Sequence, residues 1–87
     1  MPLLKYACWA LRNLSCDNDD NRIRITQADG VELTVHTMQE NPTAEELLVL
    51  ACAALLNLSF DNDIKRRIGQ TGGIEQILHT MQENPTA

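Results

Sequence analysis

Two histidines, three cysteines and one dense acidic run are the groups in this 87-residue chain whose chemistry reaches beyond packing. His36 and His79 each stand four residues before a glutamate, Glu40 and Glu83, a spacing that would put both side chains on one helix face and hold a metal weakly. Neither has a cysteine or a second histidine nearby, so a solvent-facing residue is the plainer reading. Asp17-Asn18-Asp19-Asp20-Asn21 has the opening of a calcium loop. However, Arg22 stands where such a loop needs glycine for its sharp turn, and Ala28 stands where it needs a bidentate glutamate. Helix capping accounts for the run instead. Cys8, Cys16 and Cys52 lack C-x-x-C spacing and sit in apolar stretches, as small buried thiols do in a reducing compartment. Ser15 and Ser59 fall at expected helix ends, where capping explains their hydroxyls. No nucleophile, base and acid come together, so neither catalysis, nor a cofactor, nor a metal is expected.

The elements that carry these residues must be helices. Composition is 44% hydrophobic but only 3% aromatic, so the core has to be built from Leu, Ile, Val, Ala, Cys and Met, which suits packed helices better than a sandwich or barrel. A formal net charge of −5, with Lys65-Arg66-Arg67 as the densest basic run, argues against nucleic acid. The longest apolar run, Leu47 to Leu56, is about half of what a membrane span requires, and no charged-then-apolar leader opens the chain. The expectation is an intracellular protein, cytoplasmic or nuclear, with no nucleic-acid or membrane partner.

The chain is internally duplicated. HTMQENPTA at 36–44 recurs letter for letter at 79–87, a spacing of 43. Upstream, Ala7-Cys8 and Asn13-Leu14-Ser15 recur as Ala51-Cys52 and Asn57-Leu58-Ser59 at a spacing of 44, so the first copy carries one extra residue, placed in the Asp17 to Asn21 loop. From Leu3 to Asp19, 12 of 17 positions match their counterparts, too many for accident.

Each copy divides into three helical pieces. The long one is expected to begin at Thr43, after Pro42, with Thr43-Ala44-Glu45-Glu46 as a capping box, and to run to about Leu58. It is apolar nearly all round, which implies burial on several sides. Asp61-Asn62-Asp63 offers caps for a short polar helix, Ile64 to Gln70, which stops at Gly72-Gly73. Ile74, Ile77, Leu78 and Met81 then recur at the helical period, and Asn84-Pro85 closes the piece. In the first copy Val31, Leu33 and Val35 alternate like a strand, but the second copy shows no alternation, so both read as helix.

A repeat of about 43 residues with a short helix, a Gly-Gly corner, an amphipathic helix and a long apolar helix ending Ala-Leu-x-Asn-Leu resembles the armadillo repeat. Most specific are Trp9-Ala10-Leu11-Arg12-Asn13-Leu14, similar to the family's third-helix segment, and Thr71-Gly72-Gly73-Ile74, similar to its corner. The resemblance covers essentially the whole chain. It implies an all-α, right-handed α-α superhelix, an armadillo-type solenoid of two repeats with open ends. Residues 1–17 would be the third helix of a truncated repeat, 18–60 one complete three-helix repeat, and 61–87 the first two helices of the next. Both ends look cut from a longer array. Ala53 departs from the pattern, standing where the family has tryptophan. HEAT repeats are the nearest alternative, but they lack the extra short helix and the corner.

The resemblance implies that the long helices line a concave groove in which Trp9 and Asn13 read an extended peptide. The residues point separately to the same surface. Lys5/Val49, Trp9/Ala53, Arg12/Leu56 and Cys16/Phe60 differ between copies, and at about 100° per residue these positions fall within roughly 60° of one another. The matching positions, Leu3, Leu4, Ala7, Cys8, Leu11 and Leu14 among them, lie opposite, where a shared core would fix residue type. Asn13 and Asn57 border the stripe, and their amides need partners, either a neighbouring backbone or an incoming peptide. Trp9 is either a stacking wall for a ligand or a partly buried core ring.

Two functions follow. The first is a non-catalytic scaffold binding a peptide or protein in extended conformation through Trp9, Asn13, Arg12, Asn57, Lys5 and Ala53. The second is a self-assembling structural fragment with no ligand of its own. Arrays normally need three or more units with polar ends, so either the end faces or the apolar row of Val49, Ala53, Leu56 and Phe60 would be buried against another copy. The second function implies a homo-oligomer, most simply a two-fold dimer.

Overall fold

Short polar side chains set where two of the helices begin. The structure, a computed structural model, describes residues 2–86. Met1 and Ala87, the outer limits of the first and last expected segments, lie outside the described residues. Six helices follow one another: α1 (Leu3–Ser15), α2 (Asp19–Gln27), α3 (Gly30–Glu40), α4 (Glu45–Leu58), α5 (Asn62–Gln70) and α6 (Gly73–Glu83), with no strand among the described residues. The all-α expectation holds.

Asn18 and Asp61 are the equivalent caps of α2 and α5. Asn18 Oδ1 accepts from the Asn21 amide at 2.9 Å, and Asp61 Oδ1 accepts from the amides of Asp63 and Ile64 at 2.9 and 3.0 Å. Asp19, Asp20 and Asn21 are therefore the first turn of α2 rather than loop, and the acidic pair faces the positive end of that helix. The extra residue of the first copy is taken up one step earlier. Ser15 is still helical where Ser59 is already a cap, and Asp17 turns the chain at a left-handed φ of 51°.

The expected capping box on the long helix is absent. α4 starts at Glu45, its N-cap is Ala44, and no side chain caps it. Glu46, the residue that would have closed the box, instead accepts from Lys5 Nζ of α1 at 2.9 Å. An ion pair between helices stands in place of a local side-chain-to-backbone hydrogen bond.

The corners between α2 and α3 and between α5 and α6 are built alike. Gly72 and Asp29 both hold a left-handed φ, 82° and 62°. Glycine adopts this at no steric cost, and aspartate is among the few other residues that tolerate it. The next residue is glycine in both copies because the helices touch there. A Cβ on Gly73 would lie 2.6 Å from the Ile68 carbonyl oxygen, and one on Gly30 would lie 2.6 Å from that of Ile25.

Burial in α3 resolves the strand-like alternation. Val31, Thr34, Val35 and Met38 are buried at spacings of a helix, while Leu33 faces out. The core is one cluster: Cys8 from α1, the α3 stripe, Leu47, Leu48, Ala51, Leu55 and Leu58 from α4, and Ile64 and Ile68 from α5. α4 is sealed on several sides, as its composition implies. α1 is not. Leu3, Leu4 and Leu14, expected in a core shared with their counterparts, are exposed, and only Cys8 and Ser15 of α1 are buried. Their counterparts in α4, Leu47, Leu48 and Leu58, are buried.

Candidate functional site

The long helices α1 and α4 lie side by side and run the same way. Near their starts Lys5 Nζ meets Glu46, and near their ends Asn57 Nδ2 donates to the Arg12 carbonyl at 2.8 Å. Two contacts in the same order along both helices fix the parallel sense and hold them in register. The Glu46 carboxylate, by hydrogen bond and by charge, raises the Lys5 ammonium above its ordinary range.

This register brings together residues from both stripes. Lys5, Trp9 and Arg12 of α1 and Val49 of α4 line one open hollow of about 330 Å³, with Glu46 and Leu50 at its side. Trp9, the single tryptophan, is 46% exposed, so it is not a core ring. Tyr6, one turn earlier, stacks beside it with centroids 6.3 Å apart and planes 20° from parallel, which orients the indole without covering it. Lys5 Nζ lies 5.2 Å from the centre of the Tyr6 ring as well as against Glu46. One cation thus ties the aromatic pair to α4.

The rest of the stripe continues along α4 and just past its end. Val49, Leu56 and Phe60 are exposed and Ala53 is half-buried between them. Phe60 receives the Arg22 guanidinium at 5.8 Å over its ring, and Arg22 also donates to the Ser15 carbonyl and to Asp19. The two asparagines behave differently. Asn57 uses its amide group as a bridge to α1, whereas Asn13 accepts from its neighbour Arg12 at 3.2 Å at the surface.

Sequence reasoning missed the polar clamp between copies. Arg67 of α5 donates to both oxygens of Glu32 in α3 at 2.9 Å and to Asp29 at 3.1 Å. The fork-shaped contact holds the Glu32 carboxyl below its ordinary range and raises Arg67. Glu32 and Arg67 sit on different helices, so no sequence spacing announces the pair. The histidines stand alone, 3.8 and 3.9 Å from Glu40 and Glu83. No group of three or more metal-ligating side chains assembles among the described residues. Burial raises the thiols of Cys8 and Cys52, and Cys16 is exposed.

Comparison with protein-family models, with curated proteins and with solved structures finds no match to this chain.

Proposed function

We propose that this chain is a non-catalytic, armadillo-type helical scaffold that binds a peptide or protein segment in extended conformation along the outward stripe of α1 and α4. One observation carries the reading: an oriented, half-exposed tryptophan opens onto a hollow shared by two parallel helices and flanked by Lys5 and Arg12. Aromatic and arginine side chains in such a setting are the residues that dominate binding energy at protein interfaces. Trp9 supplies the stacking wall, Arg12 and Asn13 the polar contacts, Lys5 the position of the ring, and Val49, Ala53 and Leu56 an apolar floor. Asn57 acts as the bridge that keeps the two helices in register. The 43-residue period, the left-handed corner and the helix order support the right-handed superhelical arrangement.

The test is fluorescence anisotropy with a library of labelled, extended peptides. Trp9→Ala should weaken the best binder by about 2 kcal/mol, roughly thirtyfold, with a smaller loss for Asn13→Ala. Equal affinity in both variants would remove this reading. A second reading is favoured by the exposure of Val49, Leu56 and Phe60 on one side of α4: a two-fold dimer across that row. Under it, Leu56→Lys should leave a monomer.

A further inference from the structure

We propose that the two ends of the molecule are complementary and that copies associate head to tail, through an interface repeating the one between the two copies of the repeat inside the chain. This interface is separate from the stripe of α1 and α4, so it stands or falls independently of the peptide-binding reading.

The internal duplication supplies the comparison. Inside the chain, Val31, Val35 and Met38 of α3 are 0%, 2% and 0% exposed, while their counterparts in α6, Ile74, Leu78 and Met81, are 55%, 53% and 64% exposed. Leu47 and Leu58 of α4 are 6% and 1% exposed, while their counterparts in α1, Leu3 and Leu14, are 66% and 53%. Equivalent positions are sealed at the junction between the two copies and open on the two outer faces of the described residues. One end of the molecule therefore presents the uncovered α3-like stripe, and the other presents the uncovered face that such a stripe covers. At that second end Leu11, Leu14, Arg24, Ile25 and Leu33 line an open hollow of about 480 Å³. Altogether the chain exposes 5621 Å², about a tenth more than the roughly 5,100 Å² expected for a folded monomer of its 9.7 kDa mass.

The polar contacts match as well. Arg67 and Glu32 pair across the internal junction; moved by one repeat, they become Arg24 at one end and Glu75 at the other. Among the described residues neither Arg24 nor Glu75 has an ion-pair partner. Asn84 Nδ2 donates across the junction to the Pro42 carbonyl at 2.9 Å, and the equivalent donor in the next copy is Asn41, facing the Pro85 carbonyl of the copy before it. A second copy of this chain is thus the occupant that fits in shape, apolar pattern and charge. Because the two faces differ, the contact is heterologous and leaves a free face on each outer copy, so growth continues past the dimer.

Sedimentation velocity of the 87-residue chain at increasing concentration tests this. The wild type should progress from monomer through dimer to larger species. Leu14→Lys blocks one face and Leu78→Lys the other; both positions are exposed, so helix content by circular dichroism should be unchanged. Each variant alone should remain monomeric, and an equimolar mixture should form a one-to-one dimer and nothing larger. Arg24→Glu and Glu75→Arg should each weaken association by about tenfold or more, with the double reversal in one chain restoring it. A wild type that stays monomeric, a mixture that does not dimerise, or a dimer that survives Leu14→Lys and Leu78→Lys but is lost with Leu56→Lys would overturn the proposal.

Discussion

Gly69 and Gly73 lie four residues apart, and the same substitution should move stability in opposite directions at the two positions. A Cβ added to Gly73 would stand 2.5 Å from Ile68 Cγ2 and 2.6 Å from the Ile68 carbonyl oxygen. The first is a side-chain methyl, but the second is backbone, so α6 must shift away from α5. Overpacking of this kind costs about 1–3 kcal/mol, and it outweighs the roughly 0.5–1 kcal/mol that alanine gains over glycine in helix propensity and unfolded-state entropy. At Gly69 the nearest contact of an added Cβ is Ile74 Cδ1 at 3.6 Å, an ordinary van der Waals distance. The first copy already carries a side chain there: Thr26 is buried and donates to the Arg22 carbonyl at 2.9 Å. Gly69→Ala should therefore stabilise by about 0.5–1 kcal/mol, and Gly73→Ala should destabilise by about 1–2 kcal/mol net. In a domain of this size each kcal/mol moves the melting temperature by about 4–8 °C, so the two variants should melt on opposite sides of the wild type in circular dichroism at one protein concentration. A Gly73→Ala protein that melts at or above the wild-type temperature would refute the close-approach account of the corner.

Asp61→Ala removes the acceptor of two amide hydrogen bonds at the start of α5 and should cost about 1 kcal/mol in urea unfolding, whereas Thr43→Ala, at a box that does not form, should cost a few tenths at most. Glu32 titrates below its ordinary range because Arg67 holds its charged form. Its stabilising contribution is thus complete above the ordinary glutamate value of about 4.3 and is lost as pH falls below that toward the lowered folded value. Melting scans should show this acid-side loss, and Arg67→Gln should flatten it; an identical acid slope in that variant would count against the clamp.

Much of the fold is legible in the chain because the duplication lets one copy correct the other. Val31, Leu33 and Val35 alone suit a strand, and the second copy identifies the helix that burial then displays. The corners are legible because glycine at a helix junction has few other reasons to be there. What local pattern cannot supply is competition between partners. The Thr43 box is a sound motif, yet Glu46 has a better use across to Lys5, a contact spanning 41 residues. The exposure of Leu3, Leu4 and Leu14 is hidden for a related reason: residue type records what a position is suited to pack against, not whether a partner is present. Of the candidate site, the stripe itself is visible in the positions that differ between copies. The stacking of Tyr6 on Trp9 and the bridging role of Asn57 depend on side-chain directions that spacing does not give.

The burial of Cys8 in α1 gives one atom an unusual part. That helix buries only Cys8 and Ser15 of its own, but it packs along the length of α4, so lifting it away also uncovers part of the apolar face of α4 and is a sub-global opening rather than a fraying of the end. Cys8 is buried in the shared core, and its burial disfavours the reactive thiolate, while Cys16 is exposed. Alkylation at Cys8, followed by mass spectrometry, should therefore report the opening of α1 from the core, with Cys16 as the internal clock against which it is counted.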